Sequence, residues 1–252
     1  MNYSLIVPYF KTPEVTRLCL YSIFKFSRGN PEVIVVDNAP DSSESAMLAE
    51  FPQIKLIKNH SELRGSLANF EALDIGLQHA SNDLVGLLHS DTIFLQDGWD
   101  TECFGKLESK KLAVLSTFER EANPLRPLRK KIRDWWHDMR HVSQPGYEAP
   151  GKLMLFFFLT RVSTLKKSGF VFLRDGHITP AHFAKTELPV EVMSVVEISR
   201  LMWHTSNITS ILTGQMTDPA MVKSYQTKRE QLLHHPFMVE RFGEVLAKHK
   251  LP

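Results

Sequence analysis

The chain has 252 residues, 43% of them hydrophobic, which is enough for one large α/β domain or one domain with a helical appendage. Its net charge of only +2 excludes a global pull on nucleic acid, so any basic partner site must be local. No apolar run approaches the ~20 residues that span a bilayer, and the opening MNYSLIVPYF lacks the basic start and long apolar region of a secretory leader.

Ser4 to Val7 is a short apolar run before Pro8 and reads as a buried strand. Thr12-Pro13-Glu14 is a helix start, with a capping hydroxyl, proline in the first turn and an acid near the positive dipole end. Val15, Leu18, Cys19, Ile23 and Phe26 follow at helical spacing. Val33 to Val36 is a second strand, stopped by Asp37-Asn38-Ala39-Pro40-Asp41; a short helix over 43–50 and a third strand over 54–57 come next. Leu67, Phe70, Leu73 and Leu77 mark a helix, and Leu84 to Leu88 a fourth strand ending in His89-Ser90-Asp91. Such alternation implies an α/β fold with a mostly parallel sheet, helices on both faces and ligands bound beyond the carboxyl ends of the strands.

The second half is less regular. Trp99, Phe104 and Leu107 suggest a helix, 112–115 a strand, and Leu128, Ile132, Trp135, Trp136 and Met139 a helical stripe among basic residues. That stripe makes 125–141 a basic amphipathic helix that meets an acceptor or, peripherally, a membrane surface, or else a core-packing helix whose basic face is solvated. Leu153 to Leu159 reads as a strand, followed by a short helix ending near Gly169; a further helix starts at Thr179. The segment 190–202 reads as strand-rich, and 219–249 as helical with a break near Pro236. Cys19 and Cys103 fall in apolar helical patterns and read as reduced core residues, which fits a cytoplasmic or cytoplasm-facing location.

None of the 12 glycines forms a G-x-G, a phosphate loop or a nucleophile elbow. A sheet without a glycine cradle must hold phosphates differently, and a carboxylate-bound divalent cation is the obvious substitute. Asp91, just past a buried strand, reads as a hard oxygen ligand for Mg2+ or Mn2+, or as a solvated turn aspartate. Asp37, at another strand end, suits hydrogen bonding to a base or ribose, or a simple turn.

SLIVPYF, VIVVDNAPDSS, IKLIKNHSELRG and LVGLLHSDTIFLQDGW, in that order, resemble the marks of family 2 glycosyltransferases of the GT-A fold. The resemblance covers residues 3–100 well and 150–205 loosely, through 156–161 and Gly169-Phe170. It implies a GT-A-like domain over 1–215, with a nucleotide-sugar-binding part (1–100) and an acceptor-binding part (101–215), then a C-terminal helical extension over 216–252. By that resemblance Pro8 and Tyr9 flank the nucleotide base, and Asp37 and Asn38 contact the base or ribose. Asn59, Gly65, Asn69 and Ser90 shape the donor pocket, and Asp91 binds the metal. His89 departs from the usual Asp or Asn at the triplet's first position.

The family's base is usually an acid in an "ED" pair, which this sequence lacks; Asp175, Glu187 and His177 are the candidates, with Asp175 first. His204, after a strand pattern, matches a metal- or phosphate-contacting histidine of some members. The implied activity is metal-dependent, inverting transfer from a nucleotide sugar (UDP- or dTDP-linked) to a saccharide or lipid-linked saccharide in polysaccharide or glycoconjugate synthesis. Two other readings stand beside it: a non-catalytic sugar-nucleotide or partner binder, and a sugar nucleotidyltransferase. The latter wants a glycine-rich loop after the first strand, and Pro8 to Val15 has none.

Overall fold

The structure is a computed structural model that describes residues 1–118, 122–125, 151–204, 211 and 218–248. The basic stripe expected over 125–141 lies, Leu125 apart, outside the described residues, as does the boundary expected near 215.

In chain order the first half runs β1 (Asn2–Tyr9), α1 (Pro13–Phe26), β2 (Asn30–Asp37), a 3-10 helix (Ser43–Glu50), β3 (Lys55–Lys58), α2 (Ser66–His79), β4 (Leu84–Leu88), β5 (Thr92–Phe94) and α3 (Trp99–Ser109). The second half runs β6 (Val114–Thr117), β7 (Phe157–Arg161), α4 (Val162–Ser168), α5 (Phe172–Asp175), a 3-10 helix (Pro180–Thr186), β8 (Val190–Met193), α6 (Val195–Leu201) and β9 (Met202–His204). Among the described residues α7 (Pro219–His234) and α8 (Pro236–Lys248) come later in the chain.

Among the described residues seven strands form one sheet in the order β3-β2-β1-β4-β7-β6-β8, and β5 pairs with β9 in a separate two-stranded sheet. β1 to β4 are mutually parallel, as are β6 and β8; β7 alone runs against its neighbours. The alternation of side chains along a strand splits the core into two layers. Tyr3, Leu5, Val7 and Tyr9 of β1 face α1, α3 and the C-terminal helices, whereas Ile6 faces α2, α4 and α5. Gly76 lets α2 lie close on that second face: a Cβ there would stand 2.3 Å from Ile6 Cγ2.

β1 continues through Pro8, where the sequence suggested a stop. Its pairing with β4 ends at Ile6↔Leu87, so Pro8 has a strand neighbour on one side only, where its missing N–H costs little. Two strand expectations are overturned. Within 153–159 only Phe157 onward is strand; Leu153 to Phe156 make an irregular crossing in which Met154 N donates to Thr117 O at 2.9 Å. That run is apolar because it is buried on both sides, and burial alone does not select a strand.

Residues 195–201, expected as strand, form helix α6. Ser194 Oγ accepts from Glu197 N at 3.3 Å and Glu197 Oε2 accepts from Ser194 N at 2.9 Å. This capping box overrides the β-branched content, and Val195, Ile198 and Leu201 are buried at helical spacing. Cys19 and Cys103 are buried free thiols, as expected, with burial pushing both well up from the usual thiol range.

Candidate active site

The parallel strands end together. Tyr9 is level with Asp37, Asn38 N donates to Tyr9 O at 3.0 Å, and Asn59 N donates to Asp37 O at 2.8 Å. Asp37 is almost fully buried, and its Oδ1 accepts from Ala39 N at 2.9 Å, which folds the chain into the turn after β2. The Asn59 side chain donates to Asn38 Oδ1 at 2.8 Å and to Glu71 Oε2 at 3.0 Å; Asn38 Nδ2 reaches Ala68 O at 3.3 Å.

Asp37, Asn38, Asn59 and the start of α2 are therefore tied into one polar ledge. Gly65 caps α2 with φ 59°, a left-handed backbone, and Asn69 N closes onto Gly65 O at 3.3 Å. The positive end of this 14-residue helix dipole lies at the same edge.

Pro8 is buried, and Tyr9 is wholly buried with its hydroxyl on Glu44 O at 2.8 Å. Phe10, the next residue, is partly exposed, with Lys11 Nζ 5.7 Å from its ring.

Beyond β4 the chain turns through His89, Ser90 and Asp91 into β5. Ser90 Oγ lies 3.3 Å from Thr12 Oγ1, fastening this turn to the start of α1. Thr92 pairs with His204, so the short β5-β9 ladder delivers His204 onto the triplet. Its Nε2 lies 3.3 Å from Asp91 Oδ1, and His89 Nδ1 lies 4.0 Å from the same oxygen. The Phe156 ring stacks on His204 at 3.9 Å and 7°, which fixes the imidazole plane. His204 and Asp91 are buried; His89 is partly exposed.

His89, Asp91 and His204 each offer a ligand atom, all within 4.8 Å of one another. His204 Nδ1 is buried with no hydrogen-bond partner among the described residues, an arrangement that calls for an explanation such as an ion. Partial burial and the adjacent His204 hold the His89 imidazole below its ordinary pKa, which favours the neutral ring that a ligand needs. The donor set thus fits a divalent cation.

The three base candidates separate. Glu187 caps the 3-10 helix that precedes β8, and Ala113 N donates to Pro189 O at 2.8 Å, next to Val114↔Val190 and Val114↔Thr160. It therefore stands at the amino-terminal edge of the sheet, opposite Asp91. Asp175 is held by Arg174 at 2.6 and 2.7 Å and by Val171 N at 2.9 Å. The guanidinium, then that amide, pull its carboxyl down to about 2. His177 packs edge-on against Phe70, in the second turn of α2, at 5.4 Å and 89°. Burial, then Lys152, lowers its pKa, which favours the neutral ring.

Sequence reasoning missed Phe156 and Tyr225. Tyr225 of α7 is buried, and after burial itself the carboxylates of Glu14 and Asp91 push its phenol up. Neither residue carries a local signal, because each meets the site across a long stretch of chain.

No match is found among curated protein sequences. Among solved structures the fold is similar to a mannosyltransferase of Pyrobaculum calidifontis, PcManGT, in complex with GDP-Man and Mn2+. The TM-score is 0.57 and the identity 14%, covering 99% of this chain and 76% of that one. It is also similar to TarS of S. aureus, with a TM-score of 0.51 and 15% identity over 98% of this chain and 42% of the TarS chain. This chain thus spans less than half the length of that TarS structure. The fold is GT-A. Residues 4–167 match the model of glycosyl transferase family 2, and the chain belongs to that family.

Proposed function

We propose that this protein transfers a sugar from a nucleoside-diphosphate donor to an acceptor hydroxyl, with inversion and in dependence on a divalent metal. The observation that carries the reading is the buried Asp91–His204 pair at the carboxyl edge of the sheet, beside the polar ledge of Asp37, Asn38 and Asn59. The ledge and Asp37 bind base and ribose; the start of α2, with Gly65 and Asn69, faces the diphosphate with its positive dipole end. A cation held by Asp91 and His204 supplies charge neutralisation for the departing diphosphate. PcManGT, which shares the fold, was solved with GDP-Man and Mn2+, which supports a nucleotide-sugar donor and a metal.

In the reaction the acceptor oxygen attacks the anomeric carbon from the face opposite the diphosphate. The new C–O bond forms as the bond to phosphate breaks, and the hydroxyl proton passes to a protein base. We assign this role to His177, whose ring packs on Phe70 of α2. Asp175, at about 2 and locked by Arg174, is too weakly basic, and Glu187 is on the wrong edge. The acceptor is a saccharide or lipid-linked saccharide, which puts the enzyme in polysaccharide or glycoconjugate assembly.

The test is release of nucleoside diphosphate from a panel of donors. Asp91→Asn or excess chelator should abolish turnover with the melting curve preserved; full activity in either refutes the metal role. His177→Gln should cut kcat by at least ~10²-fold, the lower end for a lost general base, while Asp175→Asn changes it little. Because the neutral ring is the base, the acid limb of kcat/KM should lie below the ordinary imidazole value of about 6.5. The reverse pattern of losses returns the role to Asp175.

A further inference from the structure

The geometry points to His89 as a direct metal ligand, making the centre a two-histidine, one-carboxylate site that prefers Mn2+, Co2+ or Zn2+ over Mg2+. The inference rests on the metal reading above and deepens it. His89 occupies the first position of a triplet where the family usually carries an oxygen donor. It is not turned away to solvent: its Nδ1 is 4.0 Å from Asp91 Oδ1, and its ring centroid is 5.5 Å from that of His204.

Ligands about 2.1 Å from one cation stand about 3.0 Å apart when cis in an octahedron and about 3.4 Å apart in a tetrahedron. The His204–Asp91 separation of 3.3 Å already meets that spacing. The His89–Asp91 separation of 4.0 Å meets it after a side-chain adjustment of under about 1 Å, and the partly exposed His89 ring has room to make it. His204 has little such freedom, being stacked on Phe156. The centre is therefore one fixed imidazole, one buried carboxylate and one adjustable imidazole.

Donor chemistry then sets the preference. Mg2+ takes oxygen ligands in near-ideal octahedral geometry and sheds water reluctantly. Imidazole suits the later first-row ions, and affinity rises along the series from Mn2+ towards Cu2+. Two nitrogens of three protein donors weight this site towards transition metals, whereas an aspartate at position 89 would give two carboxylates and one imidazole.

The experiment measures metal binding by the intact chain without donor. Mn2+, Co2+, Zn2+ and Mg2+ are titrated separately by calorimetry, and the visible absorption of the Co2+ form reports nitrogen ligation. Co2+ should bind at least about tenfold more tightly than Mg2+. His89→Ala should weaken Co2+ by at least about tenfold, since losing even an outer-shell partner costs that much, and should change the Co2+ spectrum. His89→Asp should narrow the Co2+/Mg2+ ratio, and metal-free melting curves verify that both variants fold. Unchanged Co2+ affinity and spectrum in His89→Ala, or an unchanged ratio in His89→Asp, overturns His89 as a ligand while leaving the Asp91–His204 reading intact. Failure of all four cations to bind wild-type protein at millimolar concentration overturns both.

Discussion

Asp100 is a carboxylate that the fold buries completely and then satisfies. It accepts from Tyr3 Oη at 2.7 Å, Arg28 N at 3.0 Å and Gly29 N at 2.7 Å, joining the start of α3 to β1 and to the turn before β2. Asp100→Ala leaves three donors without their acceptor, at about 1 kcal/mol or more each. The expected loss is at least about 3 kcal/mol, a fall in Tm of roughly 6–12 °C for a chain of this size, read by calorimetry. A shift within error would mean that water replaces the carboxylate.

The same residue-level view shows what sequence could and could not reveal of the site. The placement of Asp37 and Asp91 at one edge of the sheet was legible because each lies at or just past the end of a buried apolar strand, and such ends gather by topology. The orientation of Tyr9 was not legible in sequence: alternation along β1 turns its ring into the core and leaves Phe10 partly exposed. Phe156 and Tyr225 were invisible because their relation to His204 and Asp91 exists only once distant segments pack.

At the scale of elements, the central strands were easy to read and the short peripheral ones were not. β1, β2 and β4 are flanked on both faces, so their sequences are nearly unbroken apolar runs between turn residues. α6 carries the same residue types, Val195, Val196 and Ile198, in a different state, and only its cap distinguishes it. The cap also matters for function, because α6 leads directly into β9 and so sets where His204 meets Asp91. Ser194→Ala removes the acceptor for Glu197 N and should cost about 1 kcal/mol, or roughly 2–4 °C in Tm. Metal affinity measured alongside should fall as β9 loosens; a stability loss with unchanged affinity would show that β9 is held by its ladder to β5 alone. Gly76 sets a second element-level constraint. Gly76→Val would drive side-chain carbons into Ile6 and should cost about 1–3 kcal/mol by overpacking, despite the better helix propensity of the substitute.

At the scale of the molecule, the C-terminal helices share the core of the sheet. Tyr225 and Leu232 of α7 and Met238, Phe242 and Val245 of α8 belong to the same buried cluster as Leu5, Val7 and Leu18. Phe242 meets Phe26 edge-on at 5.9 Å, Arg241 Nη1 donates to Leu95 O at 2.6 Å, and Arg229 Nη2 reaches Glu14 Oε2 at 3.4 Å. These contacts cover the outer face of α1 and the end of β5, the strand whose partner carries His204. Removing residues 218–252 would expose that face of α1 and the end of β5. Each large apolar side chain returned to water costs about 1.5–3 kcal/mol, and five are lost from the cluster along with the partners they shield. That total rivals the 5–15 kcal/mol by which a whole domain is stable. The truncated chain should therefore lose its cooperative melting transition and bind a hydrophobic dye. If it instead melts cooperatively within a few degrees of the full chain and still binds metal, residues 218–252 are a separable appendage, and the first 217 hold the site unaided.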